Sequence, residues 1–233
     1  MAQDPSQLAS QITFICLQGM RHMNLVMDQK NTLPFGVAVV TEVERLSAIR
    51  DKFCDAIILQ RDMPENVKSW INTLGTKNLP SGRVTLKRED VSSAVQQLCE
   101  IAEMPVGSER AWFEADISAL AAHFSKILNS KYIRLRLDVV TTDACRKFHV
   151  DAVQARLICT YKGLGTQIGN LNENGEVVSV KQLETGVPMI LRGTLWPRNA
   201  EAKLMHRSPP IEKLGVKRLL LVLDVVDDPE DAL

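Results

Sequence analysis

The sequence has no excess of charge of either sign, no paired cysteine motif and no long apolar run, and each absence closes a class of function. Lysine plus arginine and aspartate plus glutamate both total 28 of 233 residues, so no overall basic field draws the chain to nucleic acid or to anionic lipid, and neither is an expected partner. The five cysteines, Cys16, Cys54, Cys99, Cys145 and Cys159, are odd in number, form no CxxC pair and sit mostly in apolar stretches. That usage suits reduced thiols packed as small hydrophobes and predicts a cytoplasmic protein. No apolar run approaches the ~20 residues of a membrane helix, and the opening MAQDPSQLASQ lacks the charged start and apolar centre of a secretory signal. Internal repeats and low-complexity tracts are absent as well, and the acidic end, Asp227 to Asp231, reads as a frayed terminus.

What is present is 45% hydrophobic sequence, enough to bury a core without disulfides. Met20, Met23 and Met27 share one helical face, and core packing explains them better than a ligand stripe. Gly36 to Val40 and Asp55 to Gln60 read as strands, with helical spacing over Thr41 to Phe53 and Pro64 to Leu74. After a turn-rich stretch from Gly75 to Gly82, Glu89 to Met104 and Ser108 to Leu128 both have helical spacing, with Ser108 as a candidate N-cap. From Tyr132 the pattern changes to short β-rich runs, Tyr132 to Val140, Val153 to Tyr161, Val177 to Val180, Met189 to Arg192 and Arg218 to Val226, divided by Gly, Pro and Asn clusters. The expected fold is therefore α+β. Residues 1–130 form a mostly helical α/β region, and residues 131–233 form a double-stranded β-helix, a cupin-like jelly roll, the two joined as one continuous unit.

The chain has four histidines, and two of them lie in the β-rich half at the mouths of predicted strands. In Phe148-His149-Val150-Asp151 the histidine and aspartate are two residues apart, so on extended chain both side chains point the same way and can meet one ion. A third ligand must come from elsewhere, and His206, in Leu204-Met205-His206-Arg207-Ser208-Pro209-Pro210, precedes the apolar strand at Leu219 to Leu223. Two imidazoles and one carboxylate suit Fe(II) with open positions for substrates, and equally suit catalytic zinc with a bound water. Plain structural roles stand beside this reading: His149 as a loop cap, Asp151 as a turn residue, His206 as a loop hydrogen-bonder. Cys159 reads as a packed thiol, and Gly163-Leu164-Gly165 as a turn beside the site.

His-x-Asp, a distant histidine, and then Arg218 opening the next strand resemble the 2-oxoglutarate/Fe(II)-dependent oxygenase superfamily over residues 132 to 226. The resemblance implies iron on His149, Asp151 and His206, with the far carboxylate of 2-oxoglutarate on a basic residue. Arg218 is the first choice, because a guanidinium fork holds a carboxylate bidentately, with Arg156 or Lys162 as alternatives. Tyr161 is either a ligand hydrogen-bonder or a residue at the core edge. The implied activity is hydroxylation of a small molecule or a protein side chain. Two other functions fit the same ligands or the same fold: a zinc-binding, metal-sensing or zinc hydrolase protein, and a catalytically silent jelly roll that binds a partner. The stretches Phe148 to Asp151, Arg156 to Thr166 and His206 to Pro210 also resemble the uncharacterised bacterial family numbered 1826 in the domain-of-unknown-function series, a likeness that spans most of the chain and brings no activity with it.

Overall fold

The strict alternation of Ile133-Arg134-Leu135-Arg136-Leu137 folds as strand β4, Tyr132–Val140, which buries its odd-numbered aliphatic residues and leaves the arginines half-buried on the opposite face. The computed structural model describes residues 33–143, 145–197 and 204–227. Cys16, the methionine stripe and the acidic residues beyond Asp227 lie outside them. Around β4 the element order is β1 (Val37–Val40), β2 (Ala56–Leu59), α1 (Glu65–Thr73), β3 (Gly82–Lys87), α2 (Val91–Ile101), α3 (Ser108–Leu128), then β5 (Ala155–Lys162), β6 (Gln167–Leu171), β7 (Val177–Gln182), β8 (Met189–Arg192), β9 (Leu204–Arg207) and β10 (Arg218–Val226).

The fold is mixed α+β. Seven strands form one sheet in the order β1-β2-β8-β5-β10-β4-β3, and three form a second in the order β7-β6-β9. Strands from both sides of residue 130 share the larger sheet, β1 and β2 at one end and β3 at the other. Its two faces serve two cores. Leu219, Leu221 and Leu223 of β10 and Leu157 and Cys159 of β5 pack with Phe113, Ile117, Leu120 and Phe124 of α3. Leu220, Val222 and Ile158, next in alternation, pack instead with Ile168 of β6 and Leu204 of β9, so this second core fills the space between the sheets.

Three local expectations are corrected. Thr41 to Phe53 does not form an α-helix; Val43–Arg50 is a 3-10 helix, whose three-residue turn aligns Val43, Leu46 and Ile49 toward the core. The cap of α3 is Gly107, and the Ser108 hydroxyl donates to Glu109 Oε2 at 2.9 Å. Strands β3 and β6 occupy segments to which the sequence assigns no element, and β9 one it reads as loop. Among the described residues, no helix is long and apolar enough to cross a membrane.

One polar cluster ties α3 to the large sheet. Arg61 donates to both carboxylate oxygens of Asp116, at 2.5 and 2.7 Å, and the Tyr161 hydroxyl donates to Asp116 Oδ2 at 2.5 Å. Burial also pushes the neighbouring Cys159 thiol up to about 12, which keeps it an unreactive packing group. Asp116→Ala should lower the unfolding free energy by about 3 kcal/mol, because it strands a guanidinium and a phenol at once. A urea titration with unchanged slope measures this, and a loss below about 1 kcal/mol would show that the cluster is solvated.

Candidate metal centre

The sequence brings His149 and His206 together through an antiparallel bridge. His149 N donates to His206 O, and His206 N to His149 O, both at 3.0 Å. Their rings lie 4.5 Å apart between centroids, and Asp151 follows on the same side. The loop before His149 is fastened to the chain after β9 at further points. Asp143 Oδ1 accepts from the backbone of Ile211 and Glu212 at 2.7 and 2.9 Å, and Ser208 N donates to Cys145 O at 3.1 Å. Arg207, whose guanidinium donates to Gln167 Oε1, lies 4.4 Å over the Phe148 ring.

Potential ligand atoms of His149, Asp151 and His206 all lie within 4.8 Å of one another. Nδ1 of His149 sits 2.9 Å from Lys147 O. A carbonyl can only accept, so Nδ1 carries the proton and Nε2 is left as a lone-pair donor facing Asp151. Asp151 Oδ1 is 2.6 Å from Arg156 Nη1 and 3.5 Å from His149 Nε2. Oδ2 lies 3.0 Å from His206 Nε2, yet it is buried with no hydrogen bond of acceptable geometry. That orphaned oxygen, beside two imidazole nitrogens, is what a divalent cation between the three would satisfy, and two neutral imidazoles with one carboxylate are a donor set that iron or zinc accepts.

The electrostatics oppose each other. Burial favours the neutral acid of Asp151, but the contacts with His149 and His206 and the charge of Arg156 hold its carboxyl far below the usual carboxylate range. The Asp151 contact is also the main cause of the raised pKa of His149, against a smaller opposing effect of burial.

The basic candidates part company. Arg218 is 0% exposed. It donates from Nε to Leu164 O at 2.6 Å, from Nη1 to Ser208 Oγ at 2.7 Å, and from Nη2 to Thr160 Oγ1 and Thr166 Oγ1 at 3.2 and 3.4 Å. Among the described residues no carboxylate contacts it, and burial lowers its pKa to about 10, so it is a cation at neutral pH. Ser208 is two residues past His206, so one hydrogen bond and two residues of chain link this cation to the candidate centre. Gly163 makes room for it: at φ +79 a Cβ would collide with the Lys217 carbonyl and press on the Arg218 side chain.

Arg156 is placed elsewhere, gripping Asp224 bidentately at 2.7 and 2.9 Å while its third nitrogen holds Asp151. It positions a ligand and is not free for a co-substrate. Lys162 and Tyr161 both leave the site face. A bulge in β5 opposite Leu219 and Leu220 lets consecutive residues reach the helical side. There Lys162 Nζ donates to the carbonyls of Ile71, Asn72 and Leu74 at 2.8 to 3.0 Å, closing the end of α1, and Tyr161 binds Asp116. Residues the sequence reading passed over include Thr160, Thr166 and Ser208, the hydroxyls around Arg218. Asp224, in sequence a possible partner of Arg218, pairs with Arg156 instead.

The sequence profile of a family described as "Protein of unknown function (DUF1826)" matches residues 41–224. No curated protein matches the chain. Among solved structures it is similar to dioxygenase for auxin oxidation 1 from Arabidopsis thaliana with 2-oxoglutarate, at 11% identity and a TM-score of 0.48, covering 84% of this chain and 93% of that one. It is also similar to a Pseudomonas putida prolyl-4-hydroxylase at 9% identity and a TM-score of 0.43, covering 80% and 100%.

Metal affinity should fall as pH drops, because both imidazoles must be neutral to bind. The raised pKa of His149 starts this fall above the ordinary histidine range, and below about pH 6 the logarithm of affinity should approach a slope of about two per pH unit. Titration against a competing chelator at several pH values measures it. A slope near one would remove one histidine from the ligand set.

Proposed function

We propose that this chain, which belongs to the DUF1826 family of proteins of unknown function, is a metal-dependent oxygenase of jelly-roll fold that uses Fe(II) and 2-oxoglutarate to hydroxylate an organic substrate. The observation that carries this reading is Arg218, a fully buried guanidinium whose partners among the described residues are all neutral oxygens, bonded to Ser208 two residues past His206 of a His-Asp-His cluster. Burying a cation without a counter-charge is costly, and a dianionic ligand whose far carboxylate lies on Arg218 offsets that cost.

In this reading His149, Asp151 and His206 hold the ion, and Arg156 keeps the Asp151 carboxylate turned toward it. Arg218 receives the far carboxylate of 2-oxoglutarate, with the hydroxyls of Thr160, Thr166 and Ser208 fixing the plane of its fork. Ile158, Ile168 and Leu220 belong to the same layer between the sheets and keep it dry. When bound, Fe(II) and 2-oxoglutarate with oxygen supply the oxidising power for hydroxylation, releasing succinate and carbon dioxide.

Metal-free protein given Fe(II), ascorbate and 2-oxoglutarate should form succinate slowly even without a primary substrate. Arg218→Lys should keep the metal and raise the apparent KM for 2-oxoglutarate by about tenfold, since the charge stays but the planar fork is lost. Full iron occupancy with no succinate would overturn the proposal. One equivalent of zinc in protein purified without chelator, together with no succinate, would assign the same three ligands to a zinc centre.

A further inference from the structure

Antiparallel pairing sets out the site face of the large sheet in rows. Arg156 on β5 is opposite Asp224 on β10, which is opposite Arg134 on β4, which is opposite Thr85 on β3. The next row is Ile158, Val222, Arg136 and Arg83. Residues opposite one another share a face, so Arg134, Arg136 and Arg83 stand on the side where Arg156 holds the metal-ligating Asp151. Arg134 is two strands from Arg156, roughly 10 Å.

On β3 and β4 this face is polar, carrying Arg83, Thr85, Arg134, Arg136 and Asp138. The core between the sheets draws its large-sheet residues from β2, β5, β8 and β10, with none from β3 or β4. What is left is a shelf beside the metal centre, with Arg83 exposed and the Arg136 and Asp138 side chains 32% and 38% exposed.

The shelf is short of acceptors. Both oxygens of Asp224 are used by Arg156. Asp138 Oδ2 lies 2.9 Å from Arg136 Nε, but that nitrogen makes no hydrogen bond of good geometry, and Arg134 Nε is buried with none at all among the described residues. Arg83 and Arg136 face each other directly across the β3–β4 ladder, an arrangement of like charges that destabilises a sheet unless something neutralises it. In a chain of zero formal charge, three guanidiniums have been gathered on one open face next to the candidate metal.

We infer that Arg134 and Arg136, with Arg83 at the rim, bind an oxyanion group, carboxylate or phosphate, of the primary substrate, so that this substrate is a small organic anion held beside the metal centre. The guanidinium fork matches two oxygens of either group, and the word substrate rests on the oxygenase reading above. Arg218, the anion site of the oxygenase reading, is a separate group, fully buried and held by Leu164, Ser208, Thr160 and Thr166.

The test uses the metal-free full-length chain and two probes, inorganic phosphate and acetate, followed by calorimetric titration. Wild type should bind at least one probe saturably, with one equivalent that does not depend on Arg218. Arg134→Gln and Arg136→Gln should each weaken that binding by about tenfold or more, while Arg218→Gln retains it. Which probe binds tells phosphate from carboxylate. The inference is overturned if neither probe binds, or if binding survives both shelf variants and is lost only in Arg218→Gln. Should the glutamine variants fail to fold, wild-type crystals soaked in the same probes decide: density on Arg134 and Arg136 supports the site, and density confined to Arg218, or none, removes it. Because no iron is present, an anion bound on the shelf without succinate formation would sink the oxygenase reading alone, and succinate formation with an empty shelf would sink this inference alone.

Discussion

Strand β10 lies between β5 and β4, and its strict alternation governs how much polarity the molecule can bury. Odd positions from Leu219 to Leu223 must satisfy a helical core, and even positions face the small sheet. The two charges on the even face, Arg218 and Asp224, are both almost fully buried, and each needs compensation inside the protein. Asp224 receives it from a guanidinium, whereas Arg218 receives only carbonyl and hydroxyl oxygens. That asymmetry makes one end of the strand a finished structural ion pair and the other an unfinished one.

Around Asp151 the same logic produces competition. Arg156 and His149 both meet Oδ1 and His206 meets Oδ2, so the carboxylate stays ionised although it is mostly buried. Contacts with the imidazoles and the charge of Arg156 make this carboxylate a poor proton site, and once the ring nitrogens facing it give up their protons the same three groups suit a cation. The ion pair with Arg156 and the contact with Asp224 anchor this group to the large sheet, while the bridge between the histidines anchors its partners to the small one.

The long regular elements were legible in sequence. Ser108–Leu128, Tyr132–Val140, Met189–Arg192 and Arg218–Val226 have the bounds their spacing predicts, because burial on one face or both leaves an uninterrupted period. Strands β3, β6 and β9 were not, since Gly82, Gly169 and the short Leu204–Arg207 run carry turn-like or polar residues and become strands through pairing with distant partners. The candidate trio, which the fold brings within 4.8 Å of one another, could be picked out because histidine is scarce here and residues two apart on extended chain share a side. The roles of Arg156, Tyr161 and Lys162 could not. Tyr161 follows Leu157 and Cys159 onto the helical face, the core alternative; a bulge opposite Leu219 turns Lys162 the same way, and Asp224, sixty-eight residues away, claims Arg156.

The bridge between His149 and His206 also shapes how such a chain can diverge over evolutionary time. Two backbone hydrogen bonds set the facing of all three ligands, and they ask nothing of the side chains before Phe148. Substitutions in the approach that spare Asp143, whose carboxylate holds the backbone of Ile211 and Glu212, are absorbed so long as the bridge re-forms. A single residue inserted between His149 and Asp151 would turn one of the two to the opposite face and dissolve the cluster. Relatives that keep the centre should therefore vary more in the approach to it, Asp143 apart, and hold a fixed length across three residues.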